Sequence, residues 1–296
     1  MRAECLCPAT IPAENKCART ITPLMTRLLN TRCIGAAFVA LAGLGWFLHS
    51  ALPRWFPVIY GGAWGVLGLP DGRNVPLALH DLPVVLIDGR NEGGPIAVLI
   101  SGNGGWWGID DGVAKGLARA GVTTVGLNSL AYFVHRRTPG EVAATIERMV
   151  APFRADRPVI LVGYSFGADV AATAYAHLTP RLRERIRLVS LLGLSREADY
   201  AIGIMKILSG RQETIPAVAA ISGPHIQCFQ GADEGDHSGC SDLDPRRVEV
   251  VTVPGGHHFD GDYADIARHI VESLPDPQGG DPVHHVRSSQ VAMREP

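Results

Sequence analysis

The stretch Pro158–Tyr175, PVILVGYSFGADVAATAY, decides the fold predicted for this chain. An apolar strand at Val159–Val162 leads into Gly-Tyr-Ser-Phe-Gly at 163–167, and an alanine-rich helix follows. A G-x-S-x-G sequence between a strand and a helix is typical of a strained turn that exposes a nucleophilic serine, here Ser165. The two glycines let neighbouring main chains approach, and the N–H groups that begin the helix face developing negative charge. The alternative is a glycine-rich turn with a structural serine.

Short apolar segments alternate with helical segments on both sides of this turn. Strands are predicted at Pro83–Ile87, Ile96–Ile100, Val122–Leu127, Val159–Val162, Ile186–Leu192, Ile226–Gln230 and Val248–Val251. Helices are predicted at Asp110–Ala120, Pro139–Phe153, Phe166–Leu178 and Tyr263–Leu274. This alternation indicates βαβ units and a mostly parallel sheet with helices on both faces. The predicted fold class is therefore α/β, of the α/β-hydrolase type.

Composition suits one catalytic domain with extensions. The chain has 296 residues, of which 46% are hydrophobic and 19% charged, as in a globular protein with a core. The net charge of −2 gives no support for binding of nucleic acid. We expect an N-terminal extension at 1–52, a Gly/Pro-rich linker at 53–81, the hydrolase domain at 82–275 and a disordered tail at 276–296.

The N-terminal extension has the pattern of a targeting signal. An apolar run at 34–48, IGAAFVALAGLGWFL, follows Arg27 and Arg32, which is the pattern of a signal peptide or an N-terminal signal anchor. Its length of about 15 residues is short for a full membrane span of ~20 residues. Both forms place the later residues in the periplasm, released or tethered to the inner membrane. A buried core helix is a further alternative, and Met25 is a second candidate start of translation.

The acid of a catalytic triad is expected in the loop after the strand at 226–230. Chain order in α/β hydrolases is serine, then acid, then histidine. Asp236 and Glu234 are the leading candidates in this loop and Asp233 is the third, because each follows the strand closely enough to orient a histidine. A solvated acidic loop is the alternative.

The base is expected in the loop after the last strand, PGGHHFDGD at 254–262. His257 is favoured by an H-x-F-x-G pattern, and His258 is almost as good. The chosen histidine would accept the Ser165 proton and deliver it to the leaving group. The nearby Asp260 and Asp262 suggest a metal only weakly, and no metal or other cofactor is predicted.

The glycine-rich segment SGNGGWW at 101–107 is the expected source of the oxyanion hole. One backbone N–H comes from the residue after the nucleophile, Phe166, and a second from Asn103 or Gly104. A plain β–α turn is the alternative. Candidate residues of the substrate pocket are Trp106, Trp107, Tyr164 and Tyr132.

Only two of the six cysteines fall in the predicted hydrolase domain. If this domain is exported, Cys228 and Cys240 form a disulfide; otherwise they are free thiols.

Taken together, SGNGGW, GLNSLAYF, RTP, GYSFGADV, CFQGADEGDHSGC and GGHHFDGDY resemble the VirJ/AcvB family of bacterial virulence-type α/β hydrolases, in uninterrupted order from Leu82 to Leu274. Members of that family typically have an aspartate where this chain has Asn103, and an aspartate is also common at the position of Asn128. If those aspartates bind a cationic part of the substrate, these two replacements affect that contact.

The resemblance implies a periplasmic enzyme at the membrane surface that hydrolyses the ester of an aminoacylated phosphatidylglycerol, such as lysyl-phosphatidylglycerol. Two alternatives remain: a general esterase, lipase or thioesterase, and a non-catalytic periplasmic partner in virulence or secretion. Neither the aminoacyl group nor the oligomeric state is predicted.

Overall fold

The structure, a computed structural model, describes residues 75–202 and 211–275. The predicted N-terminal extension at 1–52, with its apolar run at 34–48, and the predicted tail at 276–296 lie outside these residues. No helix within the described ranges is both long and apolar enough to cross a membrane.

A seven-stranded sheet forms the centre of the domain. Its strands are β1 (Val84–Ile87), β2 (Ile96–Ile100), β3 (Thr123–Leu127), β4 (Val159–Tyr164), β5 (Ile186–Leu192), β8 (His225–Gly231) and β9 (Glu249–Val253). They lie in the order β1-β3-β2-β4-β5-β8-β9. Two further strands, β6 (Glu197–Ala198) and β7 (Gln212–Glu213), pair separately.

The sheet is parallel except at one edge, where β1 runs antiparallel to β3. Every residue of β2, β3 and β4 is buried. Central strands of this kind are apolar along their whole length because helices cover both faces, which is why they read as continuous apolar runs in the sequence. The architecture confirms the predicted α/β-hydrolase fold class.

Helices cover the two faces in pairs. The helices are α1 (Ile109–Arg119), α2 (Ser129–Tyr132), α3 (Pro139–Val150), α4 (Phe166–Ala174), α5 (Pro180–Arg185), α6 (Thr214–Ala220) and α7 (Tyr263–Glu272). The apolar sides of α3 and α4 pack on one face of the sheet. Those of α1 and α7 pack on the other.

The sequence located the long elements and missed the short ones. Helix α3 begins at Pro139 as predicted, after a capping box formed by Thr138 and Glu141, but ends at Val150. The unpredicted α2, α5 and α6 are too short to show a helical period. The end of the predicted linker also packs on the domain, since Val75 and Leu79 are buried.

Cys228 and Cys240 are joined by a disulfide. Cys228 lies in β8, and Cys240 lies in a 3-10 helix, Gly239–Asp242, that follows the strand. Both side chains are fully buried. The bond closes the loop that leaves the carboxyl end of β8, so it limits the freedom of the loop that contains Glu234.

Replacing both cysteines, Cys228→Ala with Cys240→Ala, is expected to lower the free energy of unfolding by about 3 kcal/mol, because the unfolded chain regains the entropy of an open loop of about a dozen residues. Urea denaturation, monitored by circular dichroism, measures this change. Wild-type protein under reducing conditions is the control and should unfold at the same urea concentration as the double variant. Equal stability of oxidised wild type and variant would contradict this role of the disulfide.

Candidate active site

The turn at Ser165 joins the carboxyl end of β4 directly to the first residue of α4. Ser165 has φ 52° and ψ −121°, a conformation that side-chain-bearing residues rarely adopt. Its N–H donates to the carbonyl of Leu192 at 2.7 Å, which fixes the turn against β5. This geometry is the strained strand-to-helix turn that the G-x-S-x-G sequence predicts.

Both glycines of the turn lie against main chain. A Cβ atom on Gly163 would lie 2.3 Å from the carbonyl oxygen of Gly167, and one on Gly167 would lie 2.0 Å from that of Ile100. These distances are far below van der Waals contact, so the two positions require glycine because of the close approach of α4 to the sheet.

One histidine and one carboxylate reach the serine. His257, in the loop after β9, places Nε2 2.8 Å from Ser165 Oγ and Nδ1 2.7 Å from Glu234 Oε1. With the proton on Nδ1, the ring donates to Glu234 and accepts from the Ser165 hydroxyl. Glu234 is held in turn by the N–H of Gly231, which donates to Oε2 at 2.7 Å. The Glu234 side chain is 10% exposed, so its hydrogen bond with His257 is partly shielded from water.

The other two acidic candidates lie away from this chain of hydrogen bonds. Asp233 and Asp236 are exposed, and within the described residues neither forms a hydrogen bond or ion pair with His257. The tight turn that returns the Glu234 N–H to the carbonyl of Gly231 directs only the Glu234 side chain inward. Of the three candidates, Glu234 is the one that hydrogen-bonds to His257 in the part of the chain that the structure describes.

His258 contacts Tyr164 and not Ser165. Its Nδ1 lies 2.8 Å from the Tyr164 hydroxyl, which donates to the carbonyl of His257 at 3.2 Å. Burial lowers the pKa of His258, and the neighbouring His257 lowers it further. The geometry thus assigns His258 no contact with the nucleophile, and Tyr164, expected as a pocket residue, links β4 to the histidine loop.

Two backbone segments flank the serine where an oxyanion would form. The Phe166 N–H begins α4, and the Phe166 ring is fixed by an edge-to-face contact with Phe133 at 4.8 Å between ring centroids. On the other side is the loop that contains Asn103 and Gly104. Its Gly102 is so close that a Cβ there would lie 3.8 Å from Ser165 Cβ. Asn103 is exposed and Gly104 is partly exposed. Asn103 and Gly104 both stay candidates for the second N–H donor to the oxyanion.

The two tryptophans of this loop have different surroundings. Trp106 packs over the sheet, where a Cβ on Gly126 of β3 would lie 1.9 Å from its ring. It is therefore a packing residue and not a pocket wall. Trp107 is 38% exposed, and its ring centroid lies 6.3 Å from that of His258. Trp107 therefore lies beside His258 with part of its ring open to solvent.

Tyr132 does not line the site. It is buried, and its hydroxyl lies 2.6 Å from Thr145 Oγ1 of α3. The Arg137 guanidinium covers the ring at 4.5 Å. These contacts hold the ring against α3. Asn128, where the resembling family often has aspartate, is likewise buried and caps α2 by accepting from the Ala131 N–H.

Two residues at the site were not identified from the sequence. Gly193 follows β5 with φ 66°, and a Cβ there would lie 2.7 Å from His257 Cε1. Gly193 directly follows a buried strand, at the edge of the sheet where sites form, and this position in the sequence could have identified it. Asp110, fully buried at the start of α1, gave no such signal, because it reads as an ordinary acidic residue in a first helical turn.

Chemically, the arrangement contains a hydroxyl, an imidazole that can remove its proton, a carboxylate that stabilises the resulting imidazolium, and N–H groups beside the reacting position. Within residues 75–202 and 211–275, no group of three or more His, Cys, Asp or Glu side chains is suited to hold a metal ion.

The sequence model of the family described as bacterial virulence protein (VirJ) matches residues 95–277, more than half of the chain. No curated protein matches the chain significantly.

Solved structures share the fold at low identity. Est1E from Butyrivibrio proteoclasticus is 15% identical, with a TM-score of 0.43 over 64% of this chain and 91% of that chain. A lidless α/β serine hydrolase from Xanthomonas campestris is 17% identical, with a TM-score of 0.45 over 65% and 88%. A thioesterase domain from the curacin biosynthetic pathway is 18% identical, with a TM-score of 0.47 over 64% and 94%. The strand order described above, and not these likenesses, establishes the fold.

Gly167→Ala is expected to lower the free energy of unfolding by at least about 2 kcal/mol, because the added methyl group overlaps the Ile100 carbonyl. Gly140→Ala is the matched control, since nothing lies within 4 Å of that Cβ, and it should stabilise α3 by up to about 1 kcal/mol. Chemical denaturation of both variants measures the difference. Equal stabilities would show that α4 does not contact the sheet this closely.

Proposed function

Because the chain belongs to the bacterial virulence protein (VirJ) family, and because Ser165, His257 and Glu234 are joined by two short hydrogen bonds, we propose that it is a periplasmic serine hydrolase acting on the aminoacyl ester of aminoacyl-phosphatidylglycerol. The observation that carries the proposal is the placement of His257 between Ser165 Oγ at 2.8 Å and Glu234 at 2.7 Å. Ser165 is the nucleophile, His257 the general base and Glu234 the acid that orients it.

The reaction runs in two halves. In the first, His257 Nε2 removes the proton from Ser165 Oγ as this oxygen attacks the ester carbonyl carbon. The carbonyl oxygen becomes an oxyanion that accepts hydrogen bonds from the Phe166 N–H and from the N–H of Asn103 or Gly104. Glu234 stabilises the imidazolium. When the ester C–O bond breaks, His257 returns the proton to the glycerol oxygen of phosphatidylglycerol, and the aminoacyl group stays on Ser165.

The second half uses water. His257 removes a proton from a water molecule that attacks the aminoacyl-serine carbonyl. Collapse of the new tetrahedral intermediate breaks the bond to Ser165 Oγ, which recovers the proton from His257. The products are the free amino acid and the unmodified serine, so the atoms balance with one water consumed for each ester.

Two observations support the substrate and the compartment. The buried disulfide Cys228–Cys240 suits an oxidising compartment such as the periplasm. The exposed Trp107 beside His258 gives the site an aromatic rim suited to an interfacial substrate, because tryptophan rings favour the level of lipid headgroups. The identity of the substrate lipid rests on the family resemblance. The proposal also includes export and membrane tethering of the protein by the apolar run at 34–48.

A general esterase or thioesterase is the second candidate, and Asn103 is the observation that favours it. Its amide carries no charge at a position where the resembling family typically has an aspartate. The exposed side chain of Asn103 therefore offers no ionic contact to the ammonium group of an aminoacyl substrate.

Expression of this protein in a bacterium that makes lysyl-phosphatidylglycerol is expected to deplete that lipid, whereas Ser165→Ala leaves it unchanged. The measurement is the lipid composition of extracted membranes, with equal protein levels checked by immunoblot. Equal depletion by both proteins would overturn the mechanism. Purified protein that hydrolyses neutral acyl esters but not aminoacyl esters would instead favour the second candidate.

Glu234→Gln is expected to lower kcat by about 10²–10⁴-fold, because a neutral amide neither fixes the reactive tautomer of His257 nor stabilises its charged form. Asp236→Asn removes an exposed carboxylate from the same loop and serves as the matched control, with activity close to that of wild type. Hydrolysis of p-nitrophenyl acetate provides the assay. Loss of activity in the Asp236 variant alone would assign the acid to Asp236.

A further inference from the structure

Asp110 is a buried carboxyl group that the proposed reaction does not use. It is the second residue of α1 and is only 1% exposed. The narrow gap beside it is lined by apolar side chains and Tyr164, and it is too small to hold a water molecule. Within the described residues, its Oδ1 atom has no hydrogen-bond partner. Burying an acid in this way is costly, so its position calls for a compensating role.

The Asp110 carboxyl group accepts a hydrogen bond at the end of the loop that faces the nucleophile, and the start of this loop lies nearby. The Trp107 N–H donates to Oδ2 at 3.4 Å, and the Asp110 N–H donates to the Trp107 carbonyl at 3.0 Å, which holds the end of the loop. The backbone N–H of Gly102, at the start of the loop, also faces the carboxyl group. Asn103 and Gly104, the two candidate oxyanion donors, lie between Gly102 and Trp107.

The start of the loop also lies against the nucleophile turn. A Cβ on Gly102 would be 3.1 Å from the Tyr164 ring and 3.8 Å from Ser165 Cβ. A shift of Gly102 therefore changes the distance between the loop amides and Ser165 directly. A misplacement of about 1 Å in such a constellation is enough to slow a reaction by about 10²-fold.

We propose that Asp110 is a positioning residue of the proposed hydrolase, whose buried carboxyl group holds the loop 102–107 so that its N–H groups stabilise the oxyanion formed at Ser165. This inference rests on the proposed function, because it concerns the same serine.

Ionisation of Asp110 opposes this role. Burial raises its pKa to about 8, although the nearby backbone N–H groups of Trp107 and Gly102 lower it, and Asp111 on the same helix raises it slightly further. The titratable groups that face it from other elements are Tyr164 of β4 and Tyr263 of α7. At neutral pH most of the carboxyl groups are protonated. Above about pH 8, a negative charge beneath the loop would repel the oxyanion.

The test compares Asp110→Ala, Asp110→Asn and Asp111→Asn for the rate at which a fluorophosphonate probe labels Ser165, from pH 6 to 10. Asp110→Ala is expected to slow labelling by about 10²-fold, since the loop loses its anchor. Asp110→Asn keeps a neutral acceptor for the Trp107 N–H. Its Ser165 should therefore be labelled about tenfold faster than that of Asp110→Ala. Only wild type and Asp111→Asn should show a decrease in rate above about pH 8. Asp111 is the matched control, because it is partly exposed and pairs with Lys115.

Thermal unfolding provides a second readout that does not depend on activity. The unfolded carboxyl group ionises near its ordinary pKa of 3.8, whereas the folded one stays protonated to about pH 8. The folded state therefore holds more protons between these values, and the stability of wild type decreases across that range relative to Asp110→Asn. The Tm difference between the two should grow from pH 4 to 8 and then stay constant.

Three results would overturn the proposal in distinguishable ways. Labelling rates of both Asp110 variants that match wild type at every pH would leave the serine hydrolase intact but remove the positioning role. A Tm difference that does not change with pH would show that Asp110 ionises normally in the folded state and is not buried as a neutral acid. A folded wild-type protein that no fluorophosphonate labels would overturn the proposed function and the positioning role together.

Discussion

Contact between Gly167 and the main chain of Ile100 is the constraint on which the site depends. An added methyl group at Gly167 would lie 2.0 Å from the Ile100 carbonyl oxygen, so α4 packs against the sheet as closely as backbone atoms allow. This approach forces the chain to reverse within one residue, and Ser165 takes the positive φ angle. The strained serine is thus a consequence of helix–sheet packing, and the buried faces of β4 and α4 stabilise it.

The parallel sheet then determines which loops can reach this serine. Carboxyl ends of neighbouring parallel strands lie at one edge, so the loops after β2, β5, β8 and β9 meet the turn after β4. The loop after β2 contains Asn103 and Gly104, and the loop after β5 leaves space for the His257 ring at Gly193. The loop after β8 contains the Glu234 carboxylate, and the loop after β9 contains the His257 imidazole. The loop after β8 is additionally closed by the disulfide, which limits the freedom of the segment that contains Glu234.

Around the nucleophile, buried polar groups connect these loops in pairs. The Tyr164 hydroxyl joins β4 to the histidine loop through the His257 carbonyl and His258. Asp110 joins the start of α1 to the loop of the candidate oxyanion donors. Polar contacts of this kind are worth more in a dry interior than at the surface, and they fix orientations that apolar packing alone leaves loose. The adjacent histidines show the result, since only His257 faces the serine.

The sequence by itself determined the fold class, the long strands and helices, the strained turn at Ser165 and the two loops that contain Glu234 and His257. These features are local: a buried parallel strand is continuously apolar, and a strand-to-helix turn with two glycines has few other uses. The choice of Glu234 over Asp236, and of His257 over His258, was made only by the tertiary structure. The same holds for the packing of Trp106 over the sheet and of Tyr132 against α3. The physical reason is that neighbouring residues in a loop have similar sequence contexts, whereas the direction of each side chain depends on contacts with strands far away in the chain. Asp110 is the extreme case, because its burial depends on α1, β4 and the loop between β2 and α1 packing together, and no local pattern records that.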